Sequence, residues 1–145
     1  GVGFSSMTGM PVVVEMAVTK KEGNSMVTTV VMGVEQYFAN PGFFRWSMAV
    51  GPAVATEESL IVMNLAYVDT TVAVNALGTG GEVAIPGLEA VKVPAGSIVA
   101  ISIPAGAASI GHPLIVVGDQ PIIVQRLLPR GHDLDGRSAS LALPG

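Results

Sequence analysis

The sequence contains no cysteine, so neither a disulfide nor thiol chemistry can contribute to this protein. Charged residues are also scarce: they make up 12% of the 145 residues, against about a quarter in a typical soluble domain. A disordered chain combines low hydrophobicity with high charge, so a composition that is 50% apolar excludes disorder. The net charge of −4 and the lack of a basic cluster argue against nucleic-acid binding.

Long apolar runs and heptad repeats are missing as well. The longest apolar candidate, residues 91–117, is interrupted by Lys92, Pro104 and Pro113, so no stretch of about 20 residues could cross a membrane as a helix. The absence of Leu/Glu/Lys heptads excludes a coiled coil. The chain begins at Gly1 without an initiator Met, and we expect it to be a processed or trimmed piece.

What the sequence does contain is short β-branched runs separated by turns rich in Gly and Pro. No run of about ten residues free of Gly and Pro has a clean 3.6-residue period, so we expect little or no helix. The sequence predicts an all-β fold, an antiparallel β-sandwich of immunoglobulin-like or jelly-roll-like type. The predicted strands are 11–19, 25–32, 45–50, 59–65, 70–77, 88–93, 97–103, 114–117, 122–128 and 138–143.

The strands differ in their apolar pattern. Residues 71–77 alternate between apolar and polar, which predicts one buried and one wet face. The run Ile122-Ile123-Val124 does not alternate, and it predicts a central strand that is covered on both faces. The Gly-rich segment 78–81 lies between strands with no helix after it, so it predicts a tight hairpin and not a phosphate-binding loop.

One self-similarity divides the chain. Residues 10–18 match residues 120–128, and each copy is followed by a polar turn and a strand of small residues. The offset of about 110 residues is the length of a sandwich repeat. Two interpretations stay open: residues 1–33 are the terminal hairpin of a preceding repeat, or they add strands to the same sandwich. In the first case residues 34–145 are a complete β-sandwich repeat.

Five short strings occur in a fixed order along the chain: YFANPG at 37–42, RWSM at 45–48, ESLIVMN at 58–64, VPAGS at 93–97 and QPIIVQR at 120–126. In this order they resemble an actinobacterial secreted family, domain of unknown function five-seven-one-nine. The similarity covers nearly all of 34–145, although Asn64-Leu65 stands where the family often has Asn-Pro. The resemblance implies an extracellular or envelope β-sandwich and carries no catalytic residues.

Side chains with catalytic or ligand chemistry are few. Asp133 and Asp135 could bind a hard cation weakly, although a full calcium loop needs more oxygen ligands, and the sequence favours a solvated turn. Glu57 and Glu58 are sequence neighbours, which point to opposite faces of a strand and do not suit a glycosidase. We therefore expect no enzyme activity and no cofactor.

The aromatic residues near the start of the third predicted strand are the other candidates. Tyr37, Phe43, Phe44 and Trp46 could bind a ligand such as a sugar by stacking. Trp46 lies on an alternating strand with Met48, which favours a place in the core of the sandwich. Tyr37, Phe43 and Phe44 flank a predicted loop, where at least one ring could be exposed.

The shortage of charge leads to a hypothesis about function. A small sandwich with so few charges has little to solvate its faces or protect its edges, so contacts with neighbours are expected. We therefore expect a non-enzymatic structural or interaction module of a secreted or cell-surface protein, which self-associates or adheres to a cell-envelope component. The alternatives are a carbohydrate-binding module that uses the 37–46 aromatics, and a viral or phage coat or decoration protein.

Overall fold

β-Strands make up the regular structure of this protein, as its β-branched runs predict. The computed structural model describes residues 7–8, 10, 15–22, 25–32, 43–51, 58–104, 111–129 and 137–145, and within these ranges there is no helix. It follows that no helix in these ranges could cross a membrane. The strands are β1 (Glu15–Glu22), β2 (Ser25–Met32), β3 (Phe43–Met48), β4 (Glu58–Asn64), β5 (Thr70–Gly78), β6 (Gly81–Ala84), β7 (Val91–Val93), β8 (Ile98–Ile103), β9 (Leu114–Pro129), β10 (Arg137–Leu141) and β11 (Leu143–Pro144).

Strands β3 to β11 form one antiparallel network that folds into two layers at β9. The first half of β9 pairs with β3, where Trp46 faces Val116, and with β5, where Val74 faces Val116. The second half pairs with β4, where Val62 faces Val124, and with β10. The first layer is therefore β11–β3–β9–β5 with β6 and β7 beyond β5, and the second is β10–β9–β4–β8. The predicted antiparallel β-sandwich is confirmed.

The hydrophobic core lies between the two layers. Every second residue of each central strand points into it, so the burial of β5 alternates as its sequence predicts. Trp46 is completely buried, and its ring meets the ring of Phe43 edge-on at 5.8 Å. The larger fully buried side chains are Trp46, Leu60, Val62, Val72, Val74, Val93, Leu114, Val116, Ile122 and Val124.

Strand β9 bends at residues 118–121, where it passes from the first layer to the second. The sequence predicts two separate strands there, but the structure has one continuous strand, because β3 and β5 hold its first half while β4 and β10 hold its second. The backbone at Gly118 is so close to the bend that a Cβ on it would lie 2.9 Å from the carbonyl oxygen of Gln120. A side chain at this position would force the bend open.

Polar groups of the bend find partners in neighbouring strands. The Trp46 indole N–H donates to the Ile122 carbonyl at 2.8 Å, and the Gln120 N–H donates to the Thr70 hydroxyl oxygen at 3.1 Å. The Asp119 carboxylate accepts a hydrogen bond from the Thr70 hydroxyl at 2.5 Å and another from the Thr71 N–H at 2.9 Å. These two bonds, that from the Thr70 hydroxyl first, lower the pKa of Asp119 below its ordinary value.

The N-terminal hairpin is a small sheet of its own. β1 and β2 pair in full register from Glu15 opposite Met32 to Glu22 opposite Ser25, and β2 lies against β10. β10 is the strand that follows the second copy of the self-similar sequence. Whether residues 1–33 belong to a preceding repeat or to the same sandwich stays a prediction.

Candidate interaction surface

The outward side of β4, β8 and the second half of β9 carries no charged side chain among the residues whose side chains are described. In β4, β8 and the second half of β9, the residues between the buried ones are half-buried or exposed, so they face away from the core. We call their side chains the outer apolar face. Its rows across the three strands are Ile98–Met63–Ile123, Ala100–Ile61–Gln125 and Ser102–Ser59–Leu127.

The outward side of the first layer is different, because it carries an ion pair. Arg45 on β3 forms an ion pair with the Glu82 carboxylate on β6, which also accepts a hydrogen bond from Asn75 at 3.0 Å. The hydrogen bond from Arg45, and then that from Asn75, lower the pKa of Glu82. The first layer is thus suited to contact with water, whereas the second presents no charge on its outer apolar face.

Strand β8 forms an edge of the second layer. Within the described ranges its only strand partner is β4. The Asn64 N–H donates to the Ser97 carbonyl at 3.0 Å. In an antiparallel ladder every second residue pair exchanges hydrogen bonds, so the bonded pairs that follow are Val62–Val99, Leu60–Ile101 and Glu58–Ile103. The N–H and C=O groups of Ile98, Ala100 and Ser102 therefore point away from β4, toward the open edge.

Asn64 fixes the place where β8 begins. Its side chain is completely buried, and its Nδ2 donates to the carbonyls of Val68 at 2.8 Å and Val93 at 3.1 Å. Its Oδ1 accepts the Ala66 N–H at 2.8 Å. A buried amide needs such partners to offset its loss of hydration. Asn64 thereby ties the turn after β4 to the end of β7, shortly before β8 begins.

A buried ion pair lies at the other end of β4. Arg126 donates from Nε to Glu58 Oε1 at 2.5 Å and from Nη1 to the Ala49 carbonyl at 2.6 Å, and both charged side chains are at most 5% exposed. Its Nη2 is buried without a hydrogen-bond partner among the residues that are described. A Cβ on Gly51 would lie 2.3 Å from Nη2, so only glycine fits beside the guanidinium.

The sequence-predicted site residues lie in different environments. Trp46 has no exposed face and belongs to the core, as its alternating strand predicts, while Phe43 is half-buried and Phe44 is 54% exposed. Among the predicted stacking residues that are described, only Phe44 could thus offer a broad ring face. The described ranges contain no group of three or more His, Cys, Asp or Glu that could hold a metal ion. Tyr37, Asp133 and Asp135 lie outside those ranges.

Sequence reasoning missed both the β8 edge and the buried ion pair. Arg126 lies two residues after the buried Val124 on β9, and Glu58 lies two residues before the buried Leu60 on β4, so both side chains point toward the core. Opposite charges at inward positions of two strands were the available signal. That signal becomes specific only when β4 and β9 are known to be neighbours.

Comparison with known proteins shows a shared fold. No protein-family model matches the sequence, and no curated protein matches it. The structure is similar to the crystal structure of Thermotoga maritima 1070, with a TM-score of 0.59 and 12% identity over 72% of this chain and 96% of that one. It is less similar to the Anabaena sensory rhodopsin transducer, with a TM-score of 0.48 and 16% identity over 59% of this chain and 86% of that one. The first similarity shows the fold alone, and the second is too weak to support an inference.

Proposed function

We propose that this chain is a non-enzymatic structural module of a secreted or cell-surface protein and that it works by self-association. The observation that carries the proposal is the outer apolar face. Ile122-Ile123-Val124 has the pattern of a strand covered on both sides, and Ile122 and Val124 are indeed buried in the core. Ile123 lies on the outer apolar face and is half-buried against the core, and we expect a neighbouring molecule to cover the part of it that stays exposed.

The contrast between the two layers supports the same proposal. A sheet side that faces water permanently carries polar residues, as the outward side of the first layer does at Arg45, Thr71, Asn75 and Glu82. The outer apolar face keeps only Ser59, Ser102 and Gln125 as polar residues, and all three are uncharged. Contiguous apolar surface on a soluble protein marks a place where another molecule binds.

The mass of the protein as a function of concentration tests this proposal. Sedimentation velocity from about 1 μM to about 500 μM should show oligomers that dissociate on dilution. Ile61→Lys places a charge at the centre of the outer apolar face and should lower the mass of the oligomer. Thr71→Lys, at a half-buried outward position of the first layer, is the matched control and should associate like the wild type.

Two results would contradict the proposal. A wild-type protein that sediments as a 14.7 kDa monomer at every concentration has no self-association. Equal association of the Ile61→Lys and wild-type proteins would place the contact away from the outer apolar face. The unfolding midpoint of each variant, followed by the fluorescence of Trp46, the single tryptophan, verifies that it is folded.

A further inference from the structure

We propose that two copies of this chain pair through their β8 edges, antiparallel, with Ala100 on the two-fold axis, so that the second layers of the two molecules form one continuous sheet. This inference rests on the proposed self-association and adds a second contact to it, at the edge of the layer that carries the outer apolar face. It begins from the unpaired backbone groups of the edge. An open edge strand is a template for strand addition, since its N–H and C=O groups need partners.

The residues of β8 lack the features that usually keep an edge strand from pairing. Natural edges are protected by charged side chains, by proline or by a bulge. β8 reads IVAISI, without a charge or a proline, and it pairs with β4 in an unbroken register from Glu58–Ile103 to Met63–Ile98. The strand is therefore regular and neutral, and in the part of the chain that the structure describes no strand lies on the side that faces away from β4.

Symmetry selects Ala100 as the centre of the pair. The backbone groups that point to the open edge belong to Ile98, Ala100 and Ser102, and Ala100 is the middle residue. An antiparallel copy centred there places Ile98 opposite Ser102 of the other molecule and Ala100 opposite itself, so every outward N–H and C=O gains a partner. Val99 then faces Ile101 of the other molecule on the core side, a β-branched pair that suits a sheet.

The size of the outer apolar face indicates that the edge must take part. Three strands about 4.8 Å apart and six residues about 3.3 Å each give a face of roughly 14 by 20 Å, or about 300 Å². A stable interface buries about 800 Å² on each partner. Face-to-face contact of two single molecules falls short of this area. Edge pairing adds directional hydrogen bonds and joins two outer apolar faces into one of roughly 600 Å², which a second pair of molecules can cover.

Paired charge variants test this geometry. Ala100→Lys and Ala100→Glu leave the hydrogen bonds of the folded monomer unchanged, because the Ala100 backbone groups point to the open edge and its exposed side chain lies on the outer apolar face, away from the core. Each variant alone should have a dissociation constant at least about a hundredfold higher than the wild type, since like charges would face one another across the axis. An equimolar mixture of the two should restore association. Ala100→Thr, which is neutral and β-branched, is the control and should associate like the wild type.

The outcomes separate this inference from the proposed function. If the wild type associates and the lysine variant associates equally well, β8 pairing is wrong while self-association stands. If both charge variants are monomeric and their mixture does not associate, the loss does not come from charges facing across the axis, and the pairing is again wrong. If the wild type is monomeric at every concentration, both proposals fail. Trp46 fluorescence unfolding confirms that each variant is folded before its mass is measured.

Discussion

The buried pair Glu58–Arg126 allows a quantitative prediction. Glu58→Gln keeps the size of the side chain but removes its negative charge. The buried guanidinium of Arg126 is then left with two neutral acceptors, the glutamine amide oxygen and the Ala49 carbonyl. Breaking a buried ion pair by removing one partner costs about 3–5 kcal/mol. We expect about 3 kcal/mol, the lower end, because the glutamine oxygen still accepts from Nε. Against a total stability of about 5–15 kcal/mol, this loss is large.

The double variant separates an uncompensated charge from lost packing. Replacing both partners by apolar residues, Glu58→Leu with Arg126→Met, removes both charges and the buried Nη2 that has no partner in the described part of the chain. Such replacements of buried pairs are often neutral or stabilising. We therefore expect the double variant to be within about 1 kcal/mol of the wild type, although each single variant is much less stable.

Urea unfolding at pH 7, followed by the fluorescence of Trp46, measures these free energies, because this indole is fully buried and becomes solvated when the sandwich opens. Glu82→Gln is the matched control: it breaks the Arg45 pair on the surface and should cost under about 1 kcal/mol. A loss below about 1 kcal/mol for Glu58→Gln would refute the reasoning. So would a double variant as unstable as the sum of the single ones.

Three further changes test the bend and the turns. Gly118→Ala should cost about 1–3 kcal/mol in urea unfolding, since its Cβ would lie 2.9 Å from the Gln120 carbonyl oxygen, and an unchanged midpoint would contradict this. Asp119→Asn should lower the Tm at pH 7. The pKa of Asp119 is lowered in the folded state. The stability that its carboxylate contributes is therefore present above pH 3.8, the ordinary pKa of the group, and is lost as the pH falls through the lower folded pKa. The Tm difference between Asp119→Asn and the wild type should shrink as the pH falls through that range. A difference independent of pH would show that the carboxylate plays no such part. Asn64→Ala should cost about 1–3 kcal/mol by leaving buried backbone groups unpaired, and faster amide exchange at Ala66 should accompany the loss.

Local patterns predicted much of the fold because each depends on a few neighbouring residues. The alternation of 71–77 correctly indicated that β5 buries one face, since successive side chains of a strand point to opposite sides. The segment 78–81 correctly indicated a tight hairpin, with Gly78 opposite Gly81 and a φ of 112° at Gly81 that favours glycine. The burial of Trp46 followed from the same alternation. The binding role of the remaining aromatics and of Asp133 and Asp135 stays a prediction.

The amino-acid pattern alone was enough to predict an all-β protein, the core-facing residues of most described strands and the positions of several turns. Those properties follow from side-chain shape, from the two-residue period of a strand, and from the conformations of glycine and proline. The pattern did not show that β9 belongs to both layers, that Glu58 meets Arg126, or that β8 lies at an edge beside the outer apolar face. These depend on which strands become neighbours, and strand order is set by the joint burial of many distant residues.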